Sequence, residues 1–347
     1  MTAAEQMRHC GLIRIQGFCF LDLGSTQANT CRVKFRALVS SLMLAVASIG
    51  GARARLQEPA APPQAEPTVK LTPEEIEIYK RAQTLIDWTP RQIRDSPFLS
   101  GLRQARSQDQ LPMVLERVGQ TLTLLFHDFP QIACDEEVVC EPLSYRGTLG
   151  GTMLRKFRYI AIPRPVGDFP GFDEYRTDLK GNPLDAARLS DLFVITSKYT
   201  STCLYLSPAD QHVSHFRLFG IQPIRERECH VVGFAQEPER VRRVTTFRVQ
   251  DMSVALLVQG LAWIDSETFQ VLRIKTWLLA PRTDIGLDFH ISTVDFYPVQ
   301  PSGSERVLWL PRDVTVLTDF RGFWFRNTHH YSNFKLFRVS STIKSAE

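Results

Sequence analysis

The sequence predicts an α+β protein: a large curved antiparallel sheet or open β-barrel, with an N-terminal helical segment packed on it. Three observations predict it. From Cys134 onward apolar residues recur with period two, the breaks between these runs are too short for crossover helices, and helix-start signals crowd the stretch 71–130 ahead of them.

Residues 34–54 read KFRALVSSLMLAVASIGGARA, with Lys34 and Arg36 ahead of an apolar run from Ala37 to Ile49 and small residues after it. This is a secretory signal-peptide pattern. Ala52-Arg53-Ala54 supplies the cleavage site, so cleavage is expected after Ala54 and the mature protein is expected in the periplasm or secreted. The apolar run is too short to persist as a transmembrane helix, and no later run is longer, so no transmembrane anchor is expected after cleavage. Residues 1–33 make a leader too long and too weakly basic for such a signal. Val33 fits a bacterial GUG initiator, which predicts that the residues ahead of it, with Cys10, Cys19 and Cys31, are not translated. Residues 55–70 are rich in Pro, Ala and Gln and read as an extended linker.

The helical segment spans 71–130. Thr72-Pro73-Glu74-Glu75 is a capping box with Pro at the first helical position, and Thr89-Pro90-Arg91-Gln92 repeats the signal, so two short helices are expected before Gly101. A longer helix is expected from Gln108 to Asp128. Leu111, Leu115, Val118, Leu122, Leu125 and Phe129 form its stripe, which is expected to pack on the sheet.

The β domain is expected over 131–347, with strands at 154–162, 172–178, 215–224, 228–234, 241–249, 258–264, 271–277, 287–297, 307–317 and 323–339. Along Val271–Trp277, Leu272 and Ile274 fall on one face and Arg273 and Lys275 on the other, the pattern of a half-solvated antiparallel strand. Asp265–Thr268, Arg225–Arg227 and Arg321-Gly322 are hairpin-length links, so the sheet should be a meander. A helical interruption is expected near Asp191–Tyr199. Hydrophobic content of 44% supports a full core, and a net charge of +4 is too mild for a nucleic-acid footprint, so no nucleic-acid partner is expected.

GLAWIDSETFQVLRI, a long strand, VLWLPRDVTV and a final aromatic strand together resemble the closing hairpins of the LolA/LolB-like lipoprotein carrier fold. QGLAWID, LLAPRTDIGL and HHYSNFKLFRV also look like segments of exported proteins of soil bacteria. The first resemblance implies an open curved sheet wrapped on helices, whose concave face holds a lipid or a lipoprotein acyl chain. The extra helical front and longer strands depart from the carriers, so the resemblance implies the fold and no particular binding residue.

The candidate cavity set is aromatic: Trp263, Trp277, Trp309, Phe323, Phe325 and Tyr331. On a concave sheet these side chains either line a space for an apolar or amphipathic ligand or pack as plain core against the long helix. In the second case the protein would be a cell-envelope scaffold that docks a protein partner. His212 and His215, and His329-His330, lack an acidic or Cys partner at a zinc spacing, and strand neighbours face apart, so no metal is expected. Cys134, Cys140, Cys203 and Cys229 follow the signal; Cys203 with Cys229 is the disulfide to test. Asp135-Glu136-Glu137 and Asp173-Glu174 read as solvated strand faces. No G-x-S-x-G, Walker, G-x-G-x-x-G or H-E-x-x-H pattern occurs, so neither an enzyme nor a cofactor is expected.

Overall fold

The computed structural model of the protein describes residues 71–337 apart from 145–146, 149–150, 166–170, 185–188, 190–198, 242–244 and 250–251. The expected leader, signal peptide, linker and most of the 191–199 helix lie outside the described residues. No helix among the described residues is long and apolar enough to cross a membrane.

Both capping boxes form. Helix α1 runs Pro73–Lys80 from Thr72, whose hydroxyl accepts from the Glu75 amide while the Glu75 carboxylate accepts from the Thr72 amide. Helix α2, Pro90–Asp95, is capped in the same way by Thr89 and Gln92. Helix α3, Leu111–His127, starts one turn later than its periodicity suggests. Pro112 explains this, since it lacks an amide and suits the first turn. A short helix α4 covers Pro208–Gln211, directly after a 3₁₀ stretch at Thr200–Leu206.

Chain-ordered strands β1 (Arg103–Gln104), β2 (Ile132–Ser144), β3 (Gly147–Thr148), β4 (Met153–Pro163), β5 (Phe172–Thr177), β6 (Pro183–Leu184), β7 (Ser214–Ile224) and β8 (Arg227–Gln236) precede an arm, β9 (Thr245–Val249) with β10 (Met252–Leu256). After the arm come β11 (Val258–Asp265), β12 (Val271–Leu278), β13 (Leu287–Val299), β14 (Leu308–Phe320) and β15 (Phe323–Leu336). The main sheet has 13 strands in the order β1-β7-β8-β11-β12-β13-β14-β15-β2-β4-β5-β6, with β3 paired beside β2. Every strand pairing is antiparallel, as expected for a meander. The last strand closes onto the first long one, with His329 opposite Val138 and Tyr331 opposite Glu136. The β14–β15 turn takes its left-handed backbone at Arg321 (φ 54°) and Gly322 (φ 78°), the two-residue geometry that matches strand twist.

The inner face is covered by α3 and by residues 199–211. Val114, Val118 and Leu122 of α3 are buried against Leu218, Val232, Ala262, Ile264, Val294 and Phe296. The seam thus runs at a spacing of four, while Leu111, Leu115 and Leu125, expected in the stripe, flank it half-buried. Gln211 ties the cover to the helix, its Nε2 donating to Leu115 O at 2.8 Å and Leu206 O at 2.9 Å.

The outer face of β7, β8, β11 and β12 is covered as well, which corrects the expected wet face. Residues 85–102 lie across it as a strap, burying Leu85, Ile93 and Leu99 against Val231, Leu261, Trp263 and Leu272. Gly233 makes this approach feasible, because a Cβ there would meet Leu85 Cδ1 at 2.3 Å. The strap's backbone is satisfied by side chains of the sheet. Leu85 N donates to Gln259 Oε1 at 2.7 Å, and Arg217 Nη1 donates to Ile86 O at 2.8 Å and Trp88 O at 2.6 Å. Arg273 pairs Asp295 across the strands at 2.8 Å and Lys275 lies 4.5 Å from the Phe98 ring centroid, so both charges tolerate the cover.

Candidate functional site

Strand alternation and register bring a polar band onto the inner face. Thr276, Ser292, Val316, Asn327 and Cys140 form one row across β12, β13, β14, β15 and β2. His290 and Thr318 stand in the next row toward one end, and His329 lies opposite Val138 toward the other. Thr276, Ser292, His290, Thr318, Asn327 and His329 are all buried. Thr276 and Ser292 hydroxyls lie 2.8 Å apart, and His290 Nδ1 is 2.8 Å from Thr318 Oγ1. Burial without a charged partner lowers the His290 pKa to about 4, so the ring is neutral.

Next to this band is a buried ionic cluster. Arg176 donates from Nε to Glu136 Oε2 at 2.6 Å and from Nη2 to Oε1 at 2.9 Å, a two-point pair that reaches across β4 from β5 to β2. Tyr331 Oη donates to Glu136 Oε1 at 2.6 Å, and His329 Nδ1 is 2.8 Å from the same oxygen. Burial would push the Glu136 carboxyl up, but the Arg176 charge and the His329 hydrogen bond outweigh it and hold the pKa at about 2. An ionised carboxylate only accepts, so His329 Nδ1 carries the proton and Nε2 accepts from Tyr199 Oη at 3.3 Å. Burial lowers the His329 pKa despite Glu136, which keeps that ring neutral.

Glu174, four strands from β14 on β5, clasps the cover. It accepts from Thr200 N at 3.1 Å, from Ser201 N at 2.8 Å, and from the Ser201 and Tyr159 hydroxyls. Desolvation raises its pKa above the ordinary carboxylate value even so. Glu136 and Glu174 correct the expectation of solvated faces. Within Asp135-Glu136-Glu137 only the middle residue points inward, and its face-mates Cys134, Val138 and Cys140 carry the signal of burial at period two.

The six aromatic candidates do not share one cavity. Trp263 and Trp277 belong to the outer face, where Trp277 stacks on Trp88 at 6.3 Å and Trp263 Nε1 donates to Gln222 Oε1 at 2.7 Å. Trp309 is half-buried where the inner and outer clusters meet. Phe323 is 73% exposed at the β14–β15 turn. Phe325 and Tyr331 face inward, Tyr331 within the ionic cluster.

The Cys203–Cys229 disulfide does not form: Cys203 packs in the inner cluster and Cys229 in the outer one, with the sheet between them. Burial raises the Cys203 thiol to about 12 and the Cys229 and Cys140 thiols to about 11, so these thiols stay protonated and inert. The His329-His330 pair is split as well. His330 turns outward to Asp313 at 2.7 Å while His329 is buried, and no metal-holding group of His, Cys, Asp and Glu occurs among the described residues.

No protein-family model matches the sequence, and no curated protein matches it. Among solved structures the chain is similar to a DUF1329 family protein from Desulfovibrio piger, at 9% identity and a TM-score of 0.39 over 67% of this chain and 95% of that one. It is similar to a domain from Vibrio parahaemolyticus described as an outer membrane lipoprotein-sorting protein, at 9% identity and a TM-score of 0.36 over 64% and 91%. A LolA superfamily protein from Nitrosomonas europaea gives 10% identity and a TM-score of 0.31 over 66% and 94%. At these identities and scores the likeness says nothing of ligand or chemistry.

Proposed function

We propose that this is an exported, non-catalytic binding protein whose concave sheet face receives an apolar or amphipathic ligand, a lipid or a lipoprotein acyl chain. The observation that carries the reading is the inner face itself. An apolar floor under α3 adjoins a band of small buried polar side chains, Thr276, Ser292, Thr318 and Asn327, on four adjacent strands. Once its cover is displaced, such a surface would accept a hydrocarbon and a polar group side by side, and Phe325 and Tyr331 stand on it. Apolar burial at ~25 cal/mol per Å² would drive binding, with no covalent step.

A second reading, docking of an envelope protein, draws support from the β14–β15 turn. There Phe323 is 73% exposed, a large apolar side chain at the tip of a hairpin. Native mass spectrometry with organic extraction of the processed protein, purified gently from a bacterial periplasm, separates the two. A copurifying lipid of defined mass is expected. A clean apo mass despite added lipid would sink the carrier reading and put partner docking ahead.

A further inference from the structure

Arg155 occupies the inner-face row that runs from Val314 through His329 and Val138. Its surroundings there are apolar: Val138, Cys140 and Phe157 are buried together, with Met153 against them. Among the described residues its Nη1 reaches only Leu154 O and its Nη2 only Met153 Sδ, each at 3.5 Å, too long for a strong bond. Its Nε is buried and has no partner among the described residues. Among the described residues no carboxylate forms an ion pair with it, whereas neighbouring Lys156 pairs with Glu137 and Arg176 with Glu136. Glu136 is committed to Arg176, His329 and Tyr331, and His329 is neutral, so nothing in the cluster can compensate Arg155.

A guanidinium left half-buried with an unpaired donor is costly until an anion meets it. We propose that Arg155 is the residue that reads the ligand's charge, and that the ligand is an amphiphile with an anionic head, carboxylate or phosphate. Its fork of donors suits either group in two-point contact, with half-buried Met153 beside it. This rests on the reading of the concave face as the ligand surface.

The test measures binding of oleic acid, oleoyl lysophosphatidic acid and methyl oleate to the processed protein and to its Arg155→Gln and Arg155→Lys variants. Melting temperatures check that each variant is folded. One or both anionic probes should bind roughly ten- to a hundredfold more tightly than methyl oleate, the worth of a charge-assisted hydrogen bond, and which of them does so identifies the head group. Arg155→Gln should remove that preference, while Arg155→Lys keeps part of it. A preference that survives Arg155→Gln overturns the assignment. Equal binding of all three probes overturns the anionic head while leaving the carrier reading standing, and binding of none overturns both.

Discussion

Arg176 and Glu136 stand at 4% and 0% exposure, and each owes its charge to the other. Taking both out of water costs several kcal/mol per ion, offset only by the two-point pair and by the donors from Tyr331 and His329. Arg176→Met therefore should cost about 3–5 kcal/mol, because it strands a buried carboxylate. Arg176→Met with Glu136→Leu should recover most of the loss, measured as urea midpoints at equal slope. A double variant as unstable as the single one would show that the cluster is held by other contacts. None of this was legible residue by residue, since an acidic run flanked by basic residues reads as solvent-facing. The face-mates Cys134 and Val138 were in view, but a strand's alternation assigns faces only once it is known which face is covered.

At the scale of elements, the local signals were sufficient for the helices and not for their docking. Thr72 and Thr89 form the capping boxes their spacing announces, because a cap is satisfied within four residues. The strap's destination was hidden. Arg273 and Lys275 alternate with apolar residues as on a wet face, yet Lys275 sits under the strap against Phe98 while Arg273 pairs with Asp295. The aromatic candidates divided for the same reason, since Trp263 and Trp277 face the strap and not the concavity. Trp277→Ala should destabilise the protein by about 2–3 kcal/mol, less than the cost of truncating a fully buried ring because the indole is half-buried. It should also speed amide exchange across 85–102 while leaving 111–127 protected, read by hydrogen exchange. Equal loosening of α3 would mean that the ring supports both faces.

Across the whole β unit, short links made the meander legible, but not that β15 returns to β2, a pairing between positions about two hundred residues apart that no local pattern encodes. His230 of β8, His290 of β13 and His329 of β15 are buried in places where a proton is unwelcome. Burial lowers the pKa of all three. A histidine lowered in the folded state contributes stability that is complete above its ordinary value of 6.5 and is lost as pH falls toward the folded value, about 4 for His290. At 1.36 kcal/mol per unit, His290 alone accounts for about 3 kcal/mol across that window. Glu136, held near 2 against an ordinary 4.5, adds a second loss in the same direction at lower pH. The melting temperature should therefore be flat above 6.5, fall steadily from 6.5 to about 4, and go on falling below that. His290→Gln should make the first limb shallower and leave the second in place. A melting temperature unchanged between neutral pH and about 4 would show that these rings are hydrated and that the inner face is open to water where it is described as closed.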